Sequence, residues 1–119
     1  MNIEDFREYC IAKKGITEEF PFDEYTLVFK VMGKMFALVA LKRLPTQVNL
    51  KCDPEYAEEL REAYDGDIIP GYHMSKKHWN TILIERISPQ LTKKLIDHSY
   101  NLVVSGLTKK LKTELENLE

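Results

Sequence analysis

The residues best suited to chemistry lie in one stretch of ten, residues 71–80, which reads Gly-Tyr-His-Met-Ser-Lys-Lys-His-Trp-Asn. This stretch holds two histidines, two lysines, two large aromatic residues and an asparagine, and it holds no carboxylate. Lysine neutralises phosphate, histidine and asparagine donate hydrogen bonds, and tryptophan or tyrosine can stack on a base. The composition therefore indicates a site for an anion or a nucleobase.

Each of these residues also has a purely structural interpretation. Trp79 begins a predicted strand, where a large aromatic ring ordinarily packs into the core. Lys76 and Lys77 are typical of a solvated turn. The two histidines of the stretch are five positions apart without a third ligand nearby, and His98 lies on a distant predicted helix. We therefore expect no histidine-based metal site.

The chain has a net charge of only −2, but its charges are unevenly distributed. Residues 25–52 and residues 68–84 contain no acid. These two segments would form one basic face if they lie together, and cationic hairpin tips can contact a phosphate backbone. The alternative is that they are ordinary solvated loops. The bases of the two segments are Lys30, Lys34, Lys42, Arg43, Lys51, Lys76 and Lys77.

A third candidate is an acidic ridge, because hard cations prefer oxygen ligands. The structural alternative is that acids near a helix start interact with the helix dipole and favour solubility. The acids concerned are Glu4, Asp5 and Glu8 on the first predicted helix and Glu18, Glu19, Asp23 and Glu24 before the first predicted strand.

Nucleophilic catalysis has little support in the sequence. Cys10 falls on the apolar face of the first predicted helix, and Cys52 precedes a helix cap, so both are interpreted as buried fillers. No serine, histidine and aspartate occur in a recognisable catalytic context, and the glycines never cluster into a phosphate-binding loop. We expect a protein that is not an enzyme and that needs no cofactor.

Bulk composition predicts one globular domain over residues 1–119, with 44% hydrophobic and 30% charged residues. No apolar run approaches the roughly 20 residues of a membrane span, and the N-terminus lacks the pattern of a secretory signal. The two cysteines lie far apart, which favours reduced thiols. We expect a cytoplasmic protein without a membrane association.

Periodicity predicts the order α-β-β-β-α-β-α, an α+β domain in which helices cover one face of a four-stranded antiparallel sheet. Helix starts are predicted at Asn2, Asp53-Pro54, Ser88-Pro89 and Thr108, and helix ends at Gly15, Gly66 and Gly106. The predicted strands are residues 25–31, 34–41, 46–51 and 79–86. In the third of these, Val48 and Leu50 face one way and Gln47, Asn49 and Lys51 the other.

Six blocks of the sequence carry a family resemblance. They are Phe29-Lys30-Val31, Gly33-Lys34-Met35-Phe36-Ala37, Asn49-Leu50-Lys51-Cys52-Asp53-Pro54, Ile69-Pro70-Gly71-Tyr72-His73-Met74, Lys77-His78-Trp79-Asn80-Thr81, and Ser99-Tyr100 with Leu102-Val103. Together they resemble the MmcQ/YjbR family of small bacterial proteins, over nearly the whole chain.

The resemblance implies a fold like that of CyaY, the bacterial frataxin, and DNA binding through a double-wing arrangement built on the sheet. By position, the contacting residues would be Lys34 at the first turn, Lys42 and Arg43 in the second loop, and the block Lys76, Lys77 and His78. We expect a non-enzymatic DNA-binding protein. The alternatives are a frataxin-like metal-binding or protein-interaction module that uses the acidic first helix, and a protein–protein adaptor.

Overall fold

The computed structural model describes residues 1–71 and 74–119. Tyr72 and His73, which belong to the 71–80 stretch and to one family block, lie outside the described residues. The described chain forms helices and strands in the order α1 (Ile3–Ile11), β1 (Ile16–Glu19), β2 (Thr26–Val31), β3 (Lys34–Ala40), β4 (Gln47–Lys51), α2 (Pro54–Ala63), β5 (Ile68–Pro70), β6 (Trp79–Leu83), α3 (Pro89–Ser105) and α4 (Lys109–Glu116).

The helices begin where the sequence predicts them, because each start has a capping side chain. In each case a side-chain oxygen accepts a hydrogen bond from the backbone N–H three residues later, which satisfies one otherwise unpaired donor. The caps are Asn2, Asp53, Ser88 and Thr108. Gly106 ends α3 as predicted. α1 and α2 stop earlier than predicted, at Ile11 and Ala63 rather than next to Gly15 and Gly66.

The prediction of a four-stranded sheet is wrong. The described residues form a six-stranded antiparallel sheet in the order β1-β2-β3-β4-β6-β5, so the predicted element order is wrong as well. The two additional strands are the edges. β1 reads Ile-Thr-Glu-Glu and β5 is three residues that end in proline. Charge and proline are typical of edge strands and hide the apolar alternation on which prediction depends.

The described helices contribute to one hydrophobic core on one face of the sheet, as predicted. Phe6 of α1, Leu60 of α2, Ile96 of α3 and Leu115 of α4 belong to a single cluster with the inward side chains of the strands. The other face, which we call the outer face, carries no helix among the described elements. In the part of the chain that the structure describes, no helix is long and apolar enough to cross a membrane.

Both cysteines are free and buried, which confirms their interpretation as core fillers. Burial raises the pKa of the Cys10 thiol to about 12 and that of the Cys52 thiol to about 11. A thiol with so high a pKa is almost entirely protonated near neutral pH, and the thiolate is the reactive form. The arrangement therefore disfavours either cysteine as a nucleophile.

Candidate nucleic-acid interface

Alternation along β4 and β6 places polar side chains on the outer face. Val48 and Leu50 point into the core, so Gln47 and Asn49 of the same strand point outward. Asn49 lies opposite Thr81 of β6, whose hydroxyl donates a hydrogen bond to Asn49 Oδ1 at 2.5 Å. This bond fixes the Asn49 amide and leaves its nitrogen as a donor, because no acceptor among the described residues is bonded to it.

These polar side chains line one side of a groove of about 540 Å³ on the outer face. That volume is within the ~300–1,000 Å³ range of sites that hold small organic ligands. The groove extends from the β3–β4 loop to the segment before β6. Its lining residues are Phe22, Asp23, Thr26, Met35, Leu38, Ala40, Arg43, Gln47, Asn49, Met74, Ser75 and Thr81.

The floor of the groove is apolar. Leu38 belongs to a small hydrophobic cluster with Val28 and Trp79, and Met35 and Met74 pack against that cluster. Trp79 is only 9% exposed, which confirms the prediction that its ring is buried at a strand start. Its partners lie on the outer face rather than in the main core, so the tryptophan supports the sheet beneath the groove and offers little surface to a ligand.

At one end of the groove lies the β3–β4 loop with Lys42 and Arg43. Arg43 lines the groove directly. The Lys42 ammonium lies over the Tyr25 ring, 3.6 Å from its centroid, which is a cation–π contact that orients the lysine. Tyr25 is held in turn because its carbonyl accepts the Leu41 backbone N–H at 2.8 Å. The two cations therefore share one end of the sheet.

Aromatic rings are exposed at this same end. Phe20, Phe22 and Tyr25 are 51%, 64% and 45% exposed, and they lie in the β1–β2 loop. Phe22 lines the groove and Phe20 does not. Asp23 also lines it, but its carboxylate accepts the backbone N–H groups of Tyr25 and Thr26. The Tyr25 N–H bond is the main reason that the pKa of Asp23 is lowered.

At the other end lies the turn that carries Lys76, Lys77 and His78, all exposed. Buried Asn80 positions this turn through Arg61 of α2. The Arg61 guanidinium donates from Nε to Asn80 Oδ1 at 2.8 Å and from Nη2 to the Lys76 carbonyl at 2.6 Å. The cationic turn is therefore fixed to the helix layer by one buried asparagine and one half-buried arginine.

The predicted site residues thus form two groups. β3 and β6 both run antiparallel to β4, so their first residues lie at the same end of the sheet. Lys34 and the Lys76–Lys77–His78 turn share that end, while Lys42 and Arg43 share the opposite one. Ser75, which precedes the turn, and Arg43 line the same groove. The groove therefore connects the two groups along the strands.

Several of the acidic residues singled out in the sequence already have partners. Glu18 pairs with Arg7 at 2.6 Å, Glu19 pairs with Lys30 at 3.3 Å, and Asp23 caps the start of β2. Glu4 and Asp5 lie in the first turn of α1, where a negative charge is favourable. Among the described residues, no group of three or more histidine, cysteine or acidic side chains lies close enough together to hold a metal ion.

Sequence reasoning missed several residues that line the groove, in particular Phe22, Gln47, Asn49 and Thr81. A signal for two of them was present, since the alternation in β4 already placed Gln47 and Asn49 on one face. β4 lies between β3 and β6, so its row of polar side chains cannot be attributed to a free sheet edge. A polar row on such a central strand is therefore a signal of a functional surface. Phe22 had no such signal, because it precedes the strand.

The YjbR family model matches residues 11–102. The chain belongs to the YjbR family. It is 44% identical over 91 residues to YbdF of Escherichia coli O157:H7, covering 76% of this chain and 74% of that protein. It is 33% identical over 108 residues to YjbR of E. coli K12, covering 90% and 91%. Both relatives are described as uncharacterised.

Two solved structures have the same fold. Protein DR2400 of Deinococcus radiodurans superposes with a TM-score of 0.90 at 41% identity, covering 97% of this chain and 88% of that one. A Pseudomonas syringae protein superposes with a TM-score of 0.73 at 28% identity, covering 86% and 98%. The chain therefore shares the fold of these two proteins.

Within the YjbR fold, several residues of the 71–80 stretch have structural roles. Gly71 is buried, and a Cβ there would lie 2.8 Å from Trp79 Cβ and 3.0 Å from the Trp79 carbonyl oxygen. Trp79 is buried beneath the groove and Asn80 fixes the turn through Arg61. Among the described residues of the stretch, Ser75, Lys76, Lys77 and His78 are exposed and available to a ligand.

Proposed function

We propose that this YjbR-family chain is a non-enzymatic nucleic-acid-binding protein that holds phosphates at both ends of its outer-face groove. The observation that carries the proposal is that Arg43 and Ser75 line one groove, which connects the Lys42–Arg43 loop with the Lys76–Lys77 turn. The β4–β6 ladder between them has four residue steps, about 14 Å at ~3.4 Å per step. A strand of nucleic acid that follows the groove would meet cations at both ends.

The proposal modifies the double-wing arrangement that the family resemblance implies. Successive hairpins of a meander project from opposite ends of a sheet, so the Lys34 turn and the Lys42–Arg43 loop cannot lie side by side as two neighbouring wing tips. The proposed interface uses one hairpin loop and the turn before β6. The buried free thiols of Cys10 and Cys52 support a cytoplasmic location.

The alternative, a metal-binding or protein-interaction module on the acidic residues, has less support. Glu18 and Glu19 are paired with cations and Asp23 with backbone N–H groups, so these acids already have partners. Glu4 and Asp5 lie in the first turn of α1, where a negative charge stabilises the helix dipole, and Glu8 lies further along the same helix.

A salt titration of affinity tests the proposal. Each phosphate contact contributes about 0.7 to the slope of log K against log salt for a single strand, and about 0.9 for a duplex. Replacing both Lys42 and Arg43 by alanine should reduce the magnitude of that slope by about 1.4 for a single strand or about 1.8 for a duplex. Replacing both Lys76 and Lys77 by alanine should have the same effect. Both variants should bind more weakly than the native protein at low salt.

The matched control is Lys109→Ala with Lys110→Ala, which removes the same charge from the exposed start of α4. It should leave the slope unchanged. The proposal is refuted if the native protein binds neither duplex nor single strand at low salt. The assignment of the interface is refuted if both groove pairs behave like the control.

A further inference from the structure

We infer that the outer-face groove accommodates an unpaired base, so that the ligand is a single strand rather than a duplex. The inference rests on the proposed function, which by itself concerns phosphate contacts and does not distinguish the two forms. Three features of the groove lead to it: an exposed aromatic ring at its rim, amide side chains along its wall, and an apolar floor between two cationic ends.

The aromatic ring belongs to Phe22. It is 64% exposed and lines the groove at the end where Arg43 lies. In a duplex the faces of the bases are covered by their stacked neighbours, so an aromatic side chain reaches a base face only when the base is unstacked. An exposed phenylalanine beside phosphate-binding cations is therefore suited to an unpaired base, and any base can stack on it.

The wall of the groove provides groups for the edge of that base. Gln47 and Asn49 lie two residues apart on the outward side of β4, and amides of this kind can pair with both a donor and an acceptor on a base. The Thr81 hydroxyl bonds Asn49 Oδ1 and so orients the amide nitrogen as a donor. Asn49 is thus pre-organised, which reduces the entropy lost when a ligand binds.

The floor and size of the groove fit the same occupant. Leu38 and Met35 form an apolar floor against which the face of a base can pack. A volume of about 540 Å³ is adequate for one nucleotide and too small for a duplex. Negative charge inside the groove is confined, among the described lining residues, to Asp23, whose Oδ1 already accepts two backbone N–H groups.

The test uses an oligonucleotide of about 12 nucleotides with a 2-aminopurine base near its centre, as a single strand and as a duplex. Stacking changes the fluorescence of this base analogue. The native protein should bind the single strand more tightly than the duplex and should change its fluorescence. Phe22→Ala should weaken single-strand binding by about 5- to 100-fold and abolish the fluorescence change.

The chain offers a matched control in Phe20→Ala. Phe20 is 51% exposed and lies on the same loop, but it does not line the groove. Its replacement should leave affinity within about twofold and preserve the fluorescence change. A second variant, Ala40→Phe, fills the groove without changing charge. It should lower single-strand affinity at least as much as Phe22→Ala while circular dichroism shows a folded protein.

The outcomes separate the inference from the proposed function. Equal or tighter binding of the duplex, with Phe22→Ala indistinguishable from Phe20→Ala, overturns the inference and leaves nucleic-acid binding intact. Absence of binding to either form at low salt overturns both. Single-strand preference with loss confined to Phe22→Ala and Ala40→Phe supports the inference.

Discussion

Asn80 holds the Lys76–Lys77–His78 turn in place through Arg61, so its replacement should lower the free energy of unfolding. Asn80→Ala removes a charge-assisted hydrogen bond from Arg61 Nε at 2.8 Å and a long bond from Asn80 Nδ2 to the Ala57 carbonyl at 3.4 Å. A hydrogen bond to a charged group contributes about 1.5–3 kcal/mol, and the long one about 0.5 kcal/mol. Because Asn80 is only 1% exposed, water does not replace either bond. We expect Asn80→Ala to lower the free energy of unfolding by about 2–3.5 kcal/mol.

Chemical denaturation measures this loss directly, and thermal unfolding gives a second measure. At ~2.1 cal/mol/K per residue, a chain of 119 residues has an unfolding entropy of about 250 cal/mol/K, so Tm should fall by about 8–14 °C. The matched control is Asn101→Ala at an exposed position of α3, where alanine is the better helix former. Asn101→Ala should be neutral or slightly stabilising.

A double-mutant cycle that combines Asn80→Ala with Arg61→Ala isolates the interaction energy between these two side chains. Since Arg61 also donates to the Lys76 carbonyl at 2.6 Å, the single arginine variant should weaken the turn as well. The two single changes should add up to more than the double change, with a coupling of about 1–2 kcal/mol. A loss below about 0.5 kcal/mol for Asn80→Ala, or simple additivity in the cycle, would refute the reasoning.

Three further predictions concern stability and reactivity. Burial lowers the pKa of His98, whose Nε2 accepts the Asp53 backbone N–H at 3.1 Å. The contribution of neutral His98 to the stability of the fold should therefore be present above about pH 6.5 and lost as the pH falls through the lower pKa of the folded state. Denaturation between about pH 4 and 8 should show a smaller acid loss for His98→Gln, and an identical profile would contradict this. Gly71→Ala should lower the free energy of unfolding, measured by urea denaturation, by about 1–3 kcal/mol, because the added Cβ would collide with the Trp79 backbone. The control Gly106→Ala should be tolerated, because the nearest atom to a Cβ there is 3.6 Å away. Cys10 and Cys52 should resist a thiol reagent at about pH 8 until the protein is unfolded, and rapid labelling of the native protein would disprove their burial.

Local signals in the sequence predicted much of the fold. The caps at Asn2, Asp53, Ser88 and Thr108 are recognisable because helix starts depend on residues within one turn. The four predicted strands are present because each contains an apolar pattern or run that is long enough to be recognised. The edge strands were missed because Glu18 and Glu19 occupy β1 and Pro70 ends β5. An edge strand is held by pairing with the neighbouring strand and does not need an apolar pattern of its own.

The candidate site was predictable only in part. The basic residues and the outward row of Gln47 and Asn49 followed from composition and alternation. The groove between the basic groups was not predicted. It depends on contacts between distant segments, such as Thr81 with Asn49 across 32 residues and Arg61 with Asn80 across 19. Such pairings are set by the tertiary fold.

The most direct test of the account is to map the bound strand on the protein. Amide chemical shifts recorded during titration with a single-stranded oligonucleotide of about 12 nucleotides would locate the interface residue by residue. The account predicts that the largest changes fall on Arg43, Gln47, Asn49 and Thr81, including the side-chain amide signals of Gln47 and Asn49. Changes confined to the helices on the other face of the sheet, or no changes at low salt, would contradict it.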